Sequence, residues 1–293
     1  MKHVVSVSLG SSTRDHRAET DFLGVPFVVE RLGVDGRFKD AQAMLRELDG
    51  KVDAIGLGGV DIYLRCRDRR YTLRDGQRLL DCVKTTPVVD GSGLKDTLEA
   101  SVVHQLAQKF PLRGTRVLVV SALDRFGLAE ALVQEGAECT FGDKMFALEL
   151  DQPIYDLDEL EVQAEKLLPE LCKLPISMLY PVGPSQNKIE PKELTSRYMQ
   201  EAAWICGDFH LIRRRLPERL EGKIVLTNTV TLDDVEELRS RGVSLLITTT
   251  PDFSGRSFGT NVLEAMLVAA GKDYTELLRD LQWKPRILSL QSE

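Results

Sequence analysis

The chain lacks any C-x-x-C pair: its five cysteines, Cys66, Cys82, Cys139, Cys172 and Cys206, are odd in number and scattered. That speaks against a zinc site or disulfide framework and suits the reduced thiols of a cytoplasmic protein. Cys139 and Cys206 stand in strand-like runs and read as buried structural thiols. No apolar run approaches the roughly 18 residues needed to span a membrane. The opening "MKHVVSVSLGSS" alternates and has no cleavage-site pattern, so it reads as a strand rather than a signal peptide. Positive charge is not in excess either, with 38 Lys and Arg against 45 Asp and Glu and a net charge of −7. A nucleic-acid partner, which needs clustered positive charge, is not expected, and neither is a membrane. The one basic cluster, "HLIRRRLPERL", reads as a solvated helix face. A G-x-G-x-x-G fingerprint is absent as well.

What is present is an alternation of strand and helix along nearly all of the 293 residues, enough for two α/β domains. Strands are expected at "HVVSVSL", "PFVVERL", "VDAIGLGG" and "TPVVDG", helices at "FKDAQAMLRELDG" and "LRDGQRLLDCVK", and a hairpin around Arg67 to Arg70. The helix "LKDTLEASVVHQLAQKF" ends at Pro111 and Gly114, where a boundary is expected. Beyond it come strand "RVLVVSA", helix "GLAEALVQEG", strand "AECTFG" and helix "LDELEVQAEKLLPELCK". Strands "ISMLYPVG", "AAWICGDF" and "KIVLTNTV", the capped helix "TLDDVEELRSRG" and strand "VSLLITTTP" follow. Helices "NVLEAMLVAAG" and "DYTELLRDL" close the chain. The expected fold is therefore α/β in two domains. Residues 1–111 form an N-terminal α/β substrate-type domain. Residues 112–293 form a Rossmann-like parallel-sheet domain, whose last helices are free to pack back on the first. "GPSQNKIEPKE" is the most linker-like loop.

Three regions carry candidate chemistry. In "VLVVSALDRFGLAEALVQEGAECTFGD" a strand, turn and helix lead to a second strand ending on an acid. A dinucleotide needs a tight turn whose backbone amides meet the pyrophosphate. Here Gly127 stands alone at the helix start. Asp124 and Arg125 occupy the turn, and Asp143 stands where an acid would bind ribose hydroxyls. The alternative is a plain polar turn with Asp143 capping a strand. The second region, "TPVVDGSGLKDTLE", gathers Asp90, Ser92, Lys95 and Asp96 at a strand end. Lys95 with Asp96 is a plausible proton-transfer pair, and capping of the helix is the plainer reading. The third is a rim of strand ends. It comprises Asp208 and His210, then Thr227, Asn228 and Thr229, then Thr249, with Ser257, Thr260 and Asn261 at the next helix start, a setting that suits a phosphate or carboxylate. His210 is a candidate acid or base at neutral pH. The early loop with Ser11, Ser12, Arg14 and His16, and the loop "GLGGVD", are further anion-site candidates.

"GLKDTLEASVVHQLAQKFPLRGTRVLVVSA" resembles the interdomain segment of the shikimate and quinate dehydrogenase family, including bacterial proteins called quinate 5-dehydrogenase. Gly93-Leu94-Lys95-Asp96 stands at the family's catalytic loop and Arg113-Gly114-Thr115 at the turn before its nucleotide-binding strand. The resemblance implies a substrate domain, a Rossmann domain holding NAD or NADP, and a Lys–Asp pair for proton transfer. Asp96 matches the acid, and Lys95 or Lys84 is the candidate lysine. The expected function is an NAD(P)-dependent oxidoreductase of a small hydroxy or oxo acid. Catalysis is expected at Lys95, Asp96 and His210. The cofactor is expected on Asp124, Arg125, Gly127, Asp143, Thr227 and Asn228, and the substrate on Ser11, Ser12, Asp90, Ser92, Thr249, Ser257 and Asn261. No metal is expected. The partner is a small anionic metabolite, and a homodimer is compatible with the sequence. The alternatives are a non-redox isomerase or lyase of an anionic metabolite, or a sensor that turns nothing over.

Overall fold

The computed structural model of the chain describes residues 1–250, 252–253, 256–272 and 284–291. The chain begins with β1 (Lys2–Ser8), β2 (His16–Phe22) and β3 (Val25–Gly33), then α1 (Phe38–Leu48) and β4 (Ala54–Gly58). A hairpin of β5 (Tyr63–Cys66) and β6 (Arg69–Thr72) precedes α2 (Arg74–Leu80), the short β7 (Val88–Val89) and the long α3 (Ser92–Ala107). Next come β8 (Arg116–Val119), α4 (Phe126–Gln134), β9 (Glu138–Phe141), α5 (Asp143–Leu148), α6 (Leu157–Leu171), α7 (Ile176–Leu179) and α8 (Glu193–Glu201). The described chain closes with β10 (Trp204–Gly207), α9 (Phe209–Arg214), β11 (Ile224–Thr227), α10 (Leu232–Ser240) and β12 (Leu245–Thr248). The hairpin β13 (Asp252–Phe253)–β14 (Arg256–Ser257), α11 (Thr260–Ala270) and β15 (Arg286–Ser289) complete it.

Two sheets result, and the fold is α/β as the alternation implies. The first has the order β2-β3-β1-β4-β7, the second β15-β12-β11-β10-β8-β9. Within each, all pairings are parallel except the outer strands β2 and β15. Central strands of such sheets are covered on both faces and so read as unbroken apolar runs. β1 is buried from Val4 to Ser8, and β10 along its whole length. Helix α11, late in the chain, packs on β4 and β1 of the first sheet. Gly56 is needed there, because a Cβ would lie 2.8 Å from the Asn261 carbonyl oxygen.

Several expectations change. "ISMLYPVG" is not a strand: Ile176–Leu179 is the helical turn α7. Pro175 fixes the entering backbone, and the Ile176 amide donates to Asp75 at 2.9 Å rather than to a sheet. The early loop contains β2, an edge strand whose residues alternate between exposed and half-buried, so its polar composition hides it. The "linker" segment is tied down, with the Gly183 amide donating to the Leu9 carbonyl at 2.9 Å. The basic cluster is solvated only in part: Arg219 is exposed. Arg215 is buried, pairing with Glu149 at 2.6 Å and donating to the Glu190 carbonyl at 2.9 Å. The helix expected at "DYTELLRDL" lies outside the described residues. Cys139 and Cys206 are buried, and burial pushes the Cys139 thiol up to about 12.

Candidate functional site

Strand order fixes where a ligand can enter. In an open α/β sheet the crevice opens at the carboxyl ends of the strands, where the order reverses. The reversal falls between β1 and β4 in the first sheet and between β8 and β10 in the second. Residues following all four strands line one cleft of about 760 Å³: Ser8, Gly59 and Asp61 on one side, Asp124, Arg125 and Asp208 on the other.

At its floor lies a buried chain of charges. Lys95, from the first turn of α3, places Nζ 2.7 Å from Asp61 Oδ1 and 2.7 Å from Asp124 Oδ1. Arg125 pairs with Glu99, lies 3.0 Å from Asp208 and 3.3 Å from Asp124. Asn228 donates to Asp208 at 3.0 Å and accepts the Phe209 amide. Four carboxyls thus share two cations, so the set cannot be fully ionised without strong repulsion. Burial raises Asp61 well above the carboxylate range, and the neighbouring Asp124 and Asp90 charges add to it against the pull of Lys95. Burial opposes ionisation of Asp124 too, but Lys95 and Arg125 more than offset it and hold Asp124 below its ordinary value. For Lys95 likewise, Asp124 and then Asp61 outweigh burial and keep the ammonium charged. Of the two acids at Lys95, Asp61 is therefore the one that holds a proton more readily, and Glu99, also raised by burial against the pull of Arg125, is the second such carboxyl of the set.

The expected site residues separate into two groups. Lys95, Asp124, Arg125, His210, Asn228, Asp90 and Asn261 all line the cleft. Asp90 is held by the Ile62 and Tyr63 amides at 2.6 and 3.1 Å, and Asn261 donates to Ser6 at 2.7 Å. Asp96 does not partner Lys95. One residue along a helix turns a side chain by about 100°, and Asp96 pairs instead with Arg65 at 3.2 Å. Ser92 opens α3 away from the cleft, with its amide on Asp90 at 3.0 Å. Ser11 caps the turn that follows β1, and Ser12 bonds Asp35. Thr227 is buried on the Gly207 carbonyl at 2.7 Å, and Thr249 is buried with its hydroxyl 3.4 Å from Glu99. Ser257 lies in β14, and its side chain is outside the described set. The residue missed is Asp61. It closes the "GLGGVD" loop, and nothing local marked it as the partner of a lysine 34 positions away.

NAD or NADP does not fit the turn after β8. The Ala122 and Leu123 amides, which would meet a pyrophosphate, are taken by the Asp143 carboxylate at 3.1 and 2.9 Å. Gly127 serves helix packing rather than a phosphate, since its Cβ would lie 2.6 Å from the Asp96 carbonyl oxygen. Arg125 fills the reversal point between β8 and β10 with its ion pairs. The space beside β8 and α5 is walled by Phe146, Leu160, Leu168 and Leu179. Asp143, pushed up to about 6 by burial, is thus an internal substitute for a phosphate and is not turned toward a ribose.

The model of the family described as "Domain of unknown function (DUF8754)" matches residues 93–290. The chain belongs to the DUF8754 family. A second model, "Domain of unknown function (DUF8753)", matches residues 3–90, so the two meet at the Asp90–Gly91 turn that leads into α3. No curated protein matches this DUF8754 chain. Among solved structures, GanP, a glucose-galactose binding protein from Geobacillus stearothermophilus, is 11% identical with a TM-score of 0.38, covering 99% of this chain and 97% of that one. The NAD-dependent malic enzyme of Thermotoga maritima is 13% identical with a TM-score of 0.35, covering 89% and 68%. A dipicolinate synthase component from Bacillus halodurans is 13% identical with a TM-score of 0.31, covering 97% and 98%. Likenesses this distant carry no argument about the activity of the DUF8754 chain. Among the described residues, no helix is long and apolar enough to cross a membrane, and no group of three or more His, Cys, Asp or Glu is placed to hold a metal ion.

Proposed function

We propose that the chain is an enzyme that moves a proton on a small anionic metabolite held between the two sheets. The observation that carries this reading is Lys95 fixed at 2.7 Å between Asp61 and Asp124 at the floor of the cleft. A carboxyl kept neutral beside an ammonium is a proton donor, and the same carboxyl, once emptied, is a base. Asp61 is the residue that gives or takes the proton. Lys95 steadies whichever carboxylate is charged, and Arg125 fixes Asp124 from behind.

The test is proton–deuterium exchange and turnover, followed by NMR in D2O. The panel is one of hydroxy and oxo acids that includes quinate and shikimate, which the sequence resemblance makes the first compounds to try. At least one compound is expected to exchange or react. Asp61→Asn, which keeps the neutral shape but carries no proton, is expected to slow it about 10²–10⁴-fold. Turnover at the wild-type rate in Asp61→Asn overturns the proposal.

An NAD(P)-dependent oxidoreductase is the second reading. The cofactor on this reading lies in the cleft of about 760 Å³ itself and not on the turn after β8, whose amides Asp143 occupies. The reading requires that NAD or NADP bind, and titration of the four cofactor forms by thermal shift decides it. Absence of any shift at millimolar concentration removes it and leaves the first reading intact.

A further inference from the structure

Arg14 and His210 stand 196 residues apart in sequence and meet across the cleft, with Arg14 Nη1 3.2 Å from His210 Nε2. Arg14 ends the turn after β1, and His210 lies in the first turn of α9, so each half of the molecule contributes one. Both line the cleft. Among the described residues Arg14 has no carboxylate at ion-pair distance. A guanidinium only donates, so Nε2 accepts and the ring proton is assigned to Nδ1. Nδ1 is buried and has no hydrogen-bond partner among the described residues. The corner thus holds a guanidinium without a carboxylate partner, facing the Nε2 edge of an imidazole across the cleft.

The surrounding groups do not fill that need. Asp208 is committed to Arg125 at 3.0 Å, to Asn228 at 3.0 Å and to the His210 amide at 2.9 Å. Asp234 caps α10 through Thr231 and lies 3.5 Å from Arg213. His16 holds the Arg14 turn in place, with Nδ1 3.1 Å from the Arg14 carbonyl and its ring stacked on Phe258. Burial holds His210 below its usual range, with Arg14 and Arg213 acting in the same direction against Asp208 and Asp234.

We propose that this corner is an oxyanion subsite, in which a carboxylate or phosphate group of the ligand is gripped by Arg14 and His210 together. An oxyanion seated on Arg14 supplies the charge that Arg14 lacks and accepts from His210 once the ring proton moves to Nε2, and it bridges the two halves of the cleft. The subsite deepens the reading of the cleft as a metabolite site and rests on it, but not on the chemistry assigned to Asp61 and Lys95. His210 on this view binds the ligand's anionic end and does not transfer the proton.

Isothermal titration with inorganic phosphate and, separately, with malonate tests the subsite on the full chain. Wild type, Arg14→Gln, His210→Gln and Lys166→Gln are compared after circular dichroism has established folding. At least one anion is expected to bind wild type, and the one that binds separates a phosphate from a carboxylate ligand. Arg14→Gln is expected to weaken it tenfold or more, and His210→Gln several-fold. Lys166→Gln, at an exposed lysine of α6, is expected to bind as wild type does. Failure of both anions to bind, or unchanged affinity in Arg14→Gln, overturns the proposal. Arg14-dependent anion binding in a protein that exchanges no proton on any compound upholds the subsite and removes the proton-transfer reading instead.

Discussion

Lys95 Nζ is equidistant, at 2.7 Å, from Asp61 and Asp124, and these acids follow strands of two different sheets. One ammonium therefore joins the two halves at the floor of the cleft. Removing it leaves a buried, charged Asp124 with only Arg125 beside it. Breaking such a pair from one side costs about 3–5 kcal/mol. Lys95→Met is expected to lose about that much in urea denaturation, far more than the same change at an exposed lysine such as Lys166. A loss under about 1 kcal/mol would show the pair to be solvated.

The Asp143 carboxyl provides a pH signature with a defined sign. Burial raises it from 3.8 to about 6 in the folded chain. The folded state then holds more protons than the unfolded state between these values, so this group's contribution is fully present below pH 3.8 and is lost as pH rises through about 6. Asp143→Asn removes the titration. Its stability relative to wild type is expected to rise between pH 4 and pH 7, as measured by paired urea denaturation curves. A flat difference across that range contradicts the assignment.

Gly127 gives a prediction that separates packing from ligand binding. A methyl group there would press on the Asp96 carbonyl of α3 at 2.6 Å. Gly127→Ala is expected to cost about 1–3 kcal/mol as overpacking. Anion affinity of the refolded variant is expected to stay as in wild type. A selective loss of ligand affinity with unchanged thermal stability would restore the glycine to a binding role.

Much of the architecture was legible because buried parallel strands are apolar along their length and helices carry periodic stripes. β1, β4, β8, β10, β11 and β12 all announce themselves this way. β2 and α7 did not. One is a polar edge strand, and the other is a four-residue apolar run that suits a strand as well as a helical turn. At the site, Lys95, Asp124, Arg125 and His210 stood out as charged residues at strand ends and helix starts. Their partners were not legible. Whether Lys95 meets Asp96 or Asp61 depends on helix phase and on the packing of two sheets, which no local pattern encodes. Asp143 was conspicuous for its position after β9, but its direction is set by the Ala122 and Leu123 amides in the turn after β8, to which it bonds.

The return of α11 to β1 and β4 has a consequence for how the molecule is made. The face of the first sheet that α11 covers stays bare until residues 260–270 have been synthesised, although its strands emerge first. The amino-terminal third is thus completed by α11, the last helix among the described residues. A fragment ending before Thr260 would leave that face of β1 and β4, with Ser6 and Gly56, without its cover.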